Sequence, residues 1–114
     1  MNIEVENSVQ NLIRALNGTT EYNQYHNLLE RIKKQPELYE RVADFRRRSL
    51  WIRTAEDIDR IHEVNNLQNQ FKDLQNNGLT NEFMIAESQY CHLVQDIQQK
   101  LLEGADIETE FLDG

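Results

Sequence analysis

The chain is expected to be all-α, folding as antiparallel helical hairpins or a bundle of four to five helices and assembling as a dimer. Three observations predict this. Gly (4) and Pro (1) are too scarce to serve the many turns that a sheet needs. Apolar residues recur at spacings of three and four, the period of a helix with one buried stripe. Start and stop signals separate these periodic stretches along the chain.

The first helix carries Val5, Val9, Leu12, Ile13 and Leu16 on one stripe and ends at Asn17-Gly18, where Gly18 is expected to adopt the left-handed closing conformation. Thr20 is the expected cap of a second helix, with Tyr22, Tyr25, Leu28, Leu29 and Ile32 on its buried face. Lys33 and Lys34 suit the negative end of that helix. Pro36 lacks the amide hydrogen that a helix interior needs but fits a first helical position, so a third helix should begin there with the stripe Leu38, Val42, Phe45, Ser49 and Ile52.

Extending that stripe leads to Glu56 and Asp59, so the register fails and a bend is expected near Thr54, where Thr54-Ala55-Glu56-Asp57 has the form of a helix start. Ile58, Ile61, Val64, Leu67, Phe71 and Leu74 then define one fourth helix, ended by Asn76-Asn77-Gly78. Thr80 is the expected cap of a fifth, with Phe83, Ala86, Tyr90, Leu93, Val94, Ile97 and Leu101 as its apolar positions and Gly104 as its stop. Residues 1–104 thus read as a single helical domain, and 105–114 as an acidic C-terminal tail that frays or docks on a partner.

The formal charge of −8 repels phosphate backbones and anionic lipids, so direct nucleic-acid binding and membrane association are not expected. The start Met1-Asn2-Ile3-Glu4-Val5-Glu6 lacks the pattern of a signal peptide, and no stretch reaches the ~20 apolar residues of a membrane span, which predicts a cytoplasmic protein. A single cysteine, Cys91, fits a reducing compartment.

Arg46-Arg47-Arg48, with Arg41 and Arg53 nearby, is the one basic cluster that could touch RNA. Successive helical residues fan out by ~100°, and Asp44 lies within reach of Arg47 and Arg48, so a salt-bridged surface is the favoured reading and an RNA-associated accessory factor the alternative. His26, His62 and His92 fall on three different predicted helices. Only His92 has a second ligand at helical spacing, Asp96, and no paired-cysteine or HExxH pattern supports a metal. Cys91 and His92 diverge around their helix, which leaves Cys91 as a buried thiol rather than a nucleophile. Nearly all the acidic residues lie opposite the apolar stripes, and the glycines mark helix ends or the terminus rather than a phosphate loop. No catalytic, cofactor-binding or metal residue is therefore expected. The amides of Asn65 to Asn77 read as a solvated helix face.

Leu50-Trp51-Ile52 and Phe83-Met84-Ile85-Ala86 differ from everything else, because consecutive apolar residues wrap around a helix and cannot all serve one stripe. Either a central helix is packed on two sides, or these turns meet another subunit. The second is favoured for so small a chain, which makes Leu50, Trp51, Ile52, Phe83, Met84 and Ile85 the expected interface, anchored by Trp51.

Thr20-Glu21-Tyr22-Asn23-Gln24-Tyr25, Pro36-Glu37-Leu38 leading into Val42-Ala43-Asp44-Phe45-Arg46, and Phe83 to Tyr90 followed by Leu93 and Ile97 resemble the YlbF/YmcA family of small helical regulators, over roughly Val9 to Leu102. The resemblance implies an all-helical, usually dimeric protein without enzymatic activity. It implies action through protein complexes, with family links to competence, biofilm formation, sporulation and endoribonuclease-directed maturation of messenger RNA. Some relatives hold an iron–sulfur cluster through several cysteines, whereas this chain has Cys91 alone. Residues and resemblance together predict a non-enzymatic regulatory or scaffold protein that forms a homodimer and docks on related subunits, among them those of an endoribonuclease complex.

Overall fold

The computed structural model describes residues 1–106, and these are all-α. Six helices follow one another: α1 (Ile3–Asn17), α2 (Thr20–Lys33), α3 (Pro36–Thr54), α4 (Arg60–Gln70), α5 (Lys72–Gln75) and α6 (Gly78–Gly104). The expected tail lies, apart from Ala105 and Asp106, outside the described residues. The chain divides into two compact units, one of Met1–Tyr25 with the segment from Ala86 onward, the other His26–Ile85.

Each helix boundary has a local cause. The Asn2 side chain accepts hydrogen bonds from the backbone N–H groups of Glu4 at 2.7 Å and Val5 at 3.3 Å, satisfying two otherwise orphaned donors at the start of α1. Gly18 ends α1, but with φ −90° and ψ −1° rather than in the expected left-handed conformation. The cap of α2 is one residue earlier than the sequence suggests. The Thr19 hydroxyl accepts from the Tyr22 N–H at 3.2 Å and donates to the Leu16 carbonyl at 2.7 Å, whereas Thr20 is already helical.

Pro36 opens α3 as expected, and α3 stops at Thr54. Thr54 does not start the next helix, because its hydroxyl donates back to the Leu50 carbonyl at 2.9 Å. Asp59 does so instead, accepting from the His62 N–H at 3.2 Å. Asp57 between them adopts φ +57°, a left-handed conformation that Asp tolerates better than most residues. Arg60 closes the bend by donating to the carbonyls of Ile52 at 3.1 Å and Ala55 at 2.8 Å, which are left without helical partners where α3 ends.

The expected single fourth helix is two pieces. It breaks at Phe71, with φ −116° and ψ 29°, although no Gly or Pro is near. Phe71 is 1% exposed, and Arg41 holds the Gln70 carbonyl at 2.8 Å, so tertiary packing and a side-chain donor replace the helical hydrogen bonding lost at the joint. Asn77, rather than Thr80, caps α6 by accepting from the Thr80 N–H at 2.9 Å. Thr80 itself is 2% exposed, and its hydroxyl has no hydrogen-bond partner among the described residues.

In the His26–Ile85 unit, Ile32, Val42, Ile52, Leu67, Phe71, Leu74 and Phe83 are buried. The rings of Phe45 and Phe71 meet edge to face at 5.5 Å and tie α3 to the α4–α5 joint. Ile61, expected to be buried, is instead among the exposed apolar residues. In the other unit, Tyr90 of α6 stacks on Tyr25 at 5.3 Å and meets Tyr22 at 5.8 Å. The stripe of α1, expected in a core, is not: no α1 residue is buried.

Candidate functional site

The two apolar turns singled out in the sequence have different fates, residue by residue. Ile52 and Phe83 are buried, at 6% and 1% exposure, so they support the His26–Ile85 unit from inside. Met84 is half-buried. Leu50, Trp51 and Ile85 remain open, at 56%, 49% and 60%. Successive residues around α3 diverge by ~100°, which is why Ile52 can enter the core while its two neighbours face outward.

Trp51 and Ile52 line a cleft of about 420 Å³ between α3 and α4. Its other walls are Arg47, Arg48, Glu63, Asn66, Leu67 and Gln70. The Phe83-Met84-Ile85 turn does not line it. The cleft has an apolar floor in Ile52 and Leu67, an aromatic edge in Trp51, and a rim of both charges. Arg48 donates to the Gln70 side-chain carbonyl, which fixes one wall, and its guanidinium lies 5.7 Å from the centre of the Phe71 ring. Asn66 and Gln70 belong to the amide-rich segment read as merely solvated, so those amides also shape a surface.

The basic cluster is distributed among several tasks. Arg41 forms a two-pronged pair with Asp73, Nε to Oδ2 at 3.2 Å and Nη2 to Oδ1 at 2.6 Å, and lies 4.2 Å from the centre of the Phe71 ring. The hydrogen bond from Arg41 holds the Asp73 carboxyl below its ordinary range, and the same bond raises the Arg41 guanidinium. Arg47 and Arg48 stand 4.0 and 3.9 Å from Asp44, as the helical spacing predicts. Arg46 lies 6.0 Å from the centre of the Phe83 ring. Sequence reasoning missed Asp73 because no local pattern relates a residue on α5 to one on α3.

His26, His62 and His92 lie on α2, α4 and α6. Among the described residues no group of three or more His, Cys, Asp and Glu could hold a metal ion. Cys91 is exposed, not buried as expected, because it lies to one side of the α6 stripe formed by Tyr90, Leu93, Val94 and Ile97, which are all half-buried. No helix among the described residues is long and apolar enough to cross a membrane.

Compared with known proteins, the chain matches over residues 5–104 a family model described as control of competence regulator ComK, YlbF/YmcA. No curated protein and no solved structure matches it.

Proposed function

The chain belongs to the YlbF/YmcA family of competence regulators, and from that premise we propose that it is a non-enzymatic cytoplasmic regulator or scaffold that associates with itself and docks on related subunits. Its targets in this reading are complexes that control RNA processing and developmental states, including one that contains an endoribonuclease. The observation that carries the docking step is Trp51. A large aromatic side chain held half-exposed at the edge of an apolar-floored cleft is the kind of anchor that dominates protein interfaces. Leu50 and Ile85 add exposed apolar surface in the same unit, while Ile52, Phe83 and Met84 support it.

The test is affinity purification of the tagged protein from its native cell, with mass spectrometry of what co-elutes, for wild type and a Trp51→Glu variant. Family subunits that co-elute with wild type and fall at least tenfold with Trp51→Glu, at unchanged helicity, are the expected result. Equal recovery with both forms would remove Trp51 from the docking surface. Tight retention of a short RNA by the pure protein at physiological salt, lost on substituting Arg47 and Arg53, would favour an RNA-associated accessory factor instead.

A further inference from the structure

α1 carries an apolar face that its own unit leaves open. Val5, Val9, Leu12 and Ile13 are 50%, 36%, 44% and 43% exposed, Met1 is 87% exposed, and Leu16 is half-buried. The helix is nevertheless well built, with Asn2 as its cap, Glu4 and Glu6 in its first turn and Arg14 in its last. The geometry points to a second copy of this chain as the occupant. α1 packs antiparallel on α1 of the second copy, about a two-fold axis between Val9 and Leu12. Val9 then meets Leu12 of the second copy, and Val5 meets Leu16.

Three arguments select this partner. First, Val5, Val9, Leu12 and Leu16 are spaced four, three and four apart, which is the seam of a two-helix coil and reads the same in either chain direction. A stripe with that symmetry is complementary to itself in antiparallel pairing, as a two-fold interface requires. Second, a chain of net charge −8 can approach another copy closely only where acids are few. The seam is flanked by Ser8, Ala15, Ile13 and one acid, Glu6. Antiparallel pairing turns Glu6 toward Ile13 of the second copy, so no acid faces another acid across the seam. Antiparallel helices also oppose their dipoles favourably. Third, Val5, Val9, Leu12 and Ile13, each at least 36% exposed, form one apolar band along α1, and the second copy's α1 is an apolar stripe of the same length to cover it. This places the self-association of the proposed function, on which it rests, at α1 and leaves the Trp51 cleft to other partners.

The test is sedimentation velocity at about 50 μM protein, alongside circular dichroism, on wild type and on Val9→Glu, Leu12→Lys, Val9→Lys and Trp51→Glu. Wild type and Trp51→Glu sediment as dimers. Val9→Glu and Leu12→Lys each sediment as monomers of unchanged helicity, since both positions are exposed. Mixing those two variants restores a dimer, because the new carboxylate faces the new ammonium, while mixing Val9→Glu with Val9→Lys does not. A monomeric wild type overturns self-association and this inference together. A dimeric wild type whose Val9→Glu and Leu12→Lys variants stay dimeric overturns α1 alone, as does collapse of helicity without restoration on mixing. Restoration only by the Val9→Glu and Val9→Lys mixture overturns the antiparallel register.

Discussion

Replacing Phe71 by Ala should be among the most damaging single changes outside any binding surface. Phe71 is 1% exposed, sits at the break between α4 and α5, packs edge to face on Phe45 at 5.5 Å and lies beneath the Arg41 guanidinium at 4.2 Å. Removing a buried Phe costs about 3–5 kcal/mol through lost transfer free energy and the cavity left behind. The cation–π share is about 0.5–1 kcal/mol where the cation stays partly hydrated, and Arg41 is such a case. The expected loss is therefore about 4 kcal/mol, most of it from the cavity. Phe71→Leu keeps much of the volume but loses the ring contacts with Phe45, Arg41 and Arg48, and should cost about 1–2 kcal/mol. Urea unfolding followed by circular dichroism, at one fixed protein concentration so that self-association does not shift the midpoint, measures both. A loss below about 1 kcal/mol for Phe71→Ala would refute the reasoning. Equal losses for the two variants would show that the ring contacts, not the volume, decide.

Two further expectations concern single polar groups. Asn77→Ala removes the observed cap of α6 and should cost about 1 kcal/mol, whereas Thr80→Val keeps the volume, removes a buried hydroxyl that has no hydrogen-bond partner among the described residues, and should be nearly neutral in the same unfolding assay. The reverse order would restore Thr80 as the cap. The Arg41 hydrogen bond depresses the Asp73 carboxyl, so its stabilising effect is fully present above the ordinary carboxylate pKa and is lost as pH falls through the lowered one. The gap in urea midpoint between wild type and Asp73→Asn should therefore be open at neutral pH and close in strong acid. A gap independent of pH would mean that the ion pair does not cause it.

Helix existence was legible in the sequence, and the placement of helix ends was legible only where one residue could do the job. Pro36 at the start of α3 follows from its own chemistry, whereas α6 runs through Gly104, which has no positive φ, and the left-handed residue after it is Asp106 with φ +56°. Where several polar residues compete, the pattern cannot choose, and Thr19 and Asn77 took roles that Thr20 and Thr80 could equally have filled. The break at Phe71 is invisible locally because its cause is Arg41, distant in sequence, which takes up the Gln70 carbonyl. Periodicity showed that α1 is amphipathic but not what would cover it, since the same stripe suits an internal core and another chain alike. Burial separated Ile52 and Phe83 from Trp51 and Ile85, a division that four adjacent apolar letters cannot express.

Charge distinguishes the two surfaces in a way that salt can read. The cleft beside Trp51 is rimmed by Arg47 and Arg48, only partly offset by Glu63 within it and by Asp44 at 4.0 and 3.9 Å. On a chain of net charge −8, such a rim attracts an acidic partner surface locally while the rest of the molecule repels it, which favours one approach direction. Exposed charges more than a Debye length apart are screened, and that length falls from about 14 Å at 50 mM to about 4 Å at 500 mM salt. Association at the cleft should therefore slow severalfold over that range, with dissociation little changed, because steering acts on encounter rather than on the packed aromatic contact. Pairing through α1 has the opposite expectation. Its seam is apolar with a single flanking acid, so added salt mainly screens repulsion between two acidic copies and leaves the dimer equal or tighter. Stopped-flow association with a co-purified partner and sedimentation of the pure protein, both run across the same salt series, separate the two. If dimer and docking weaken together as salt rises, self-association runs through the arginine rim and not through α1.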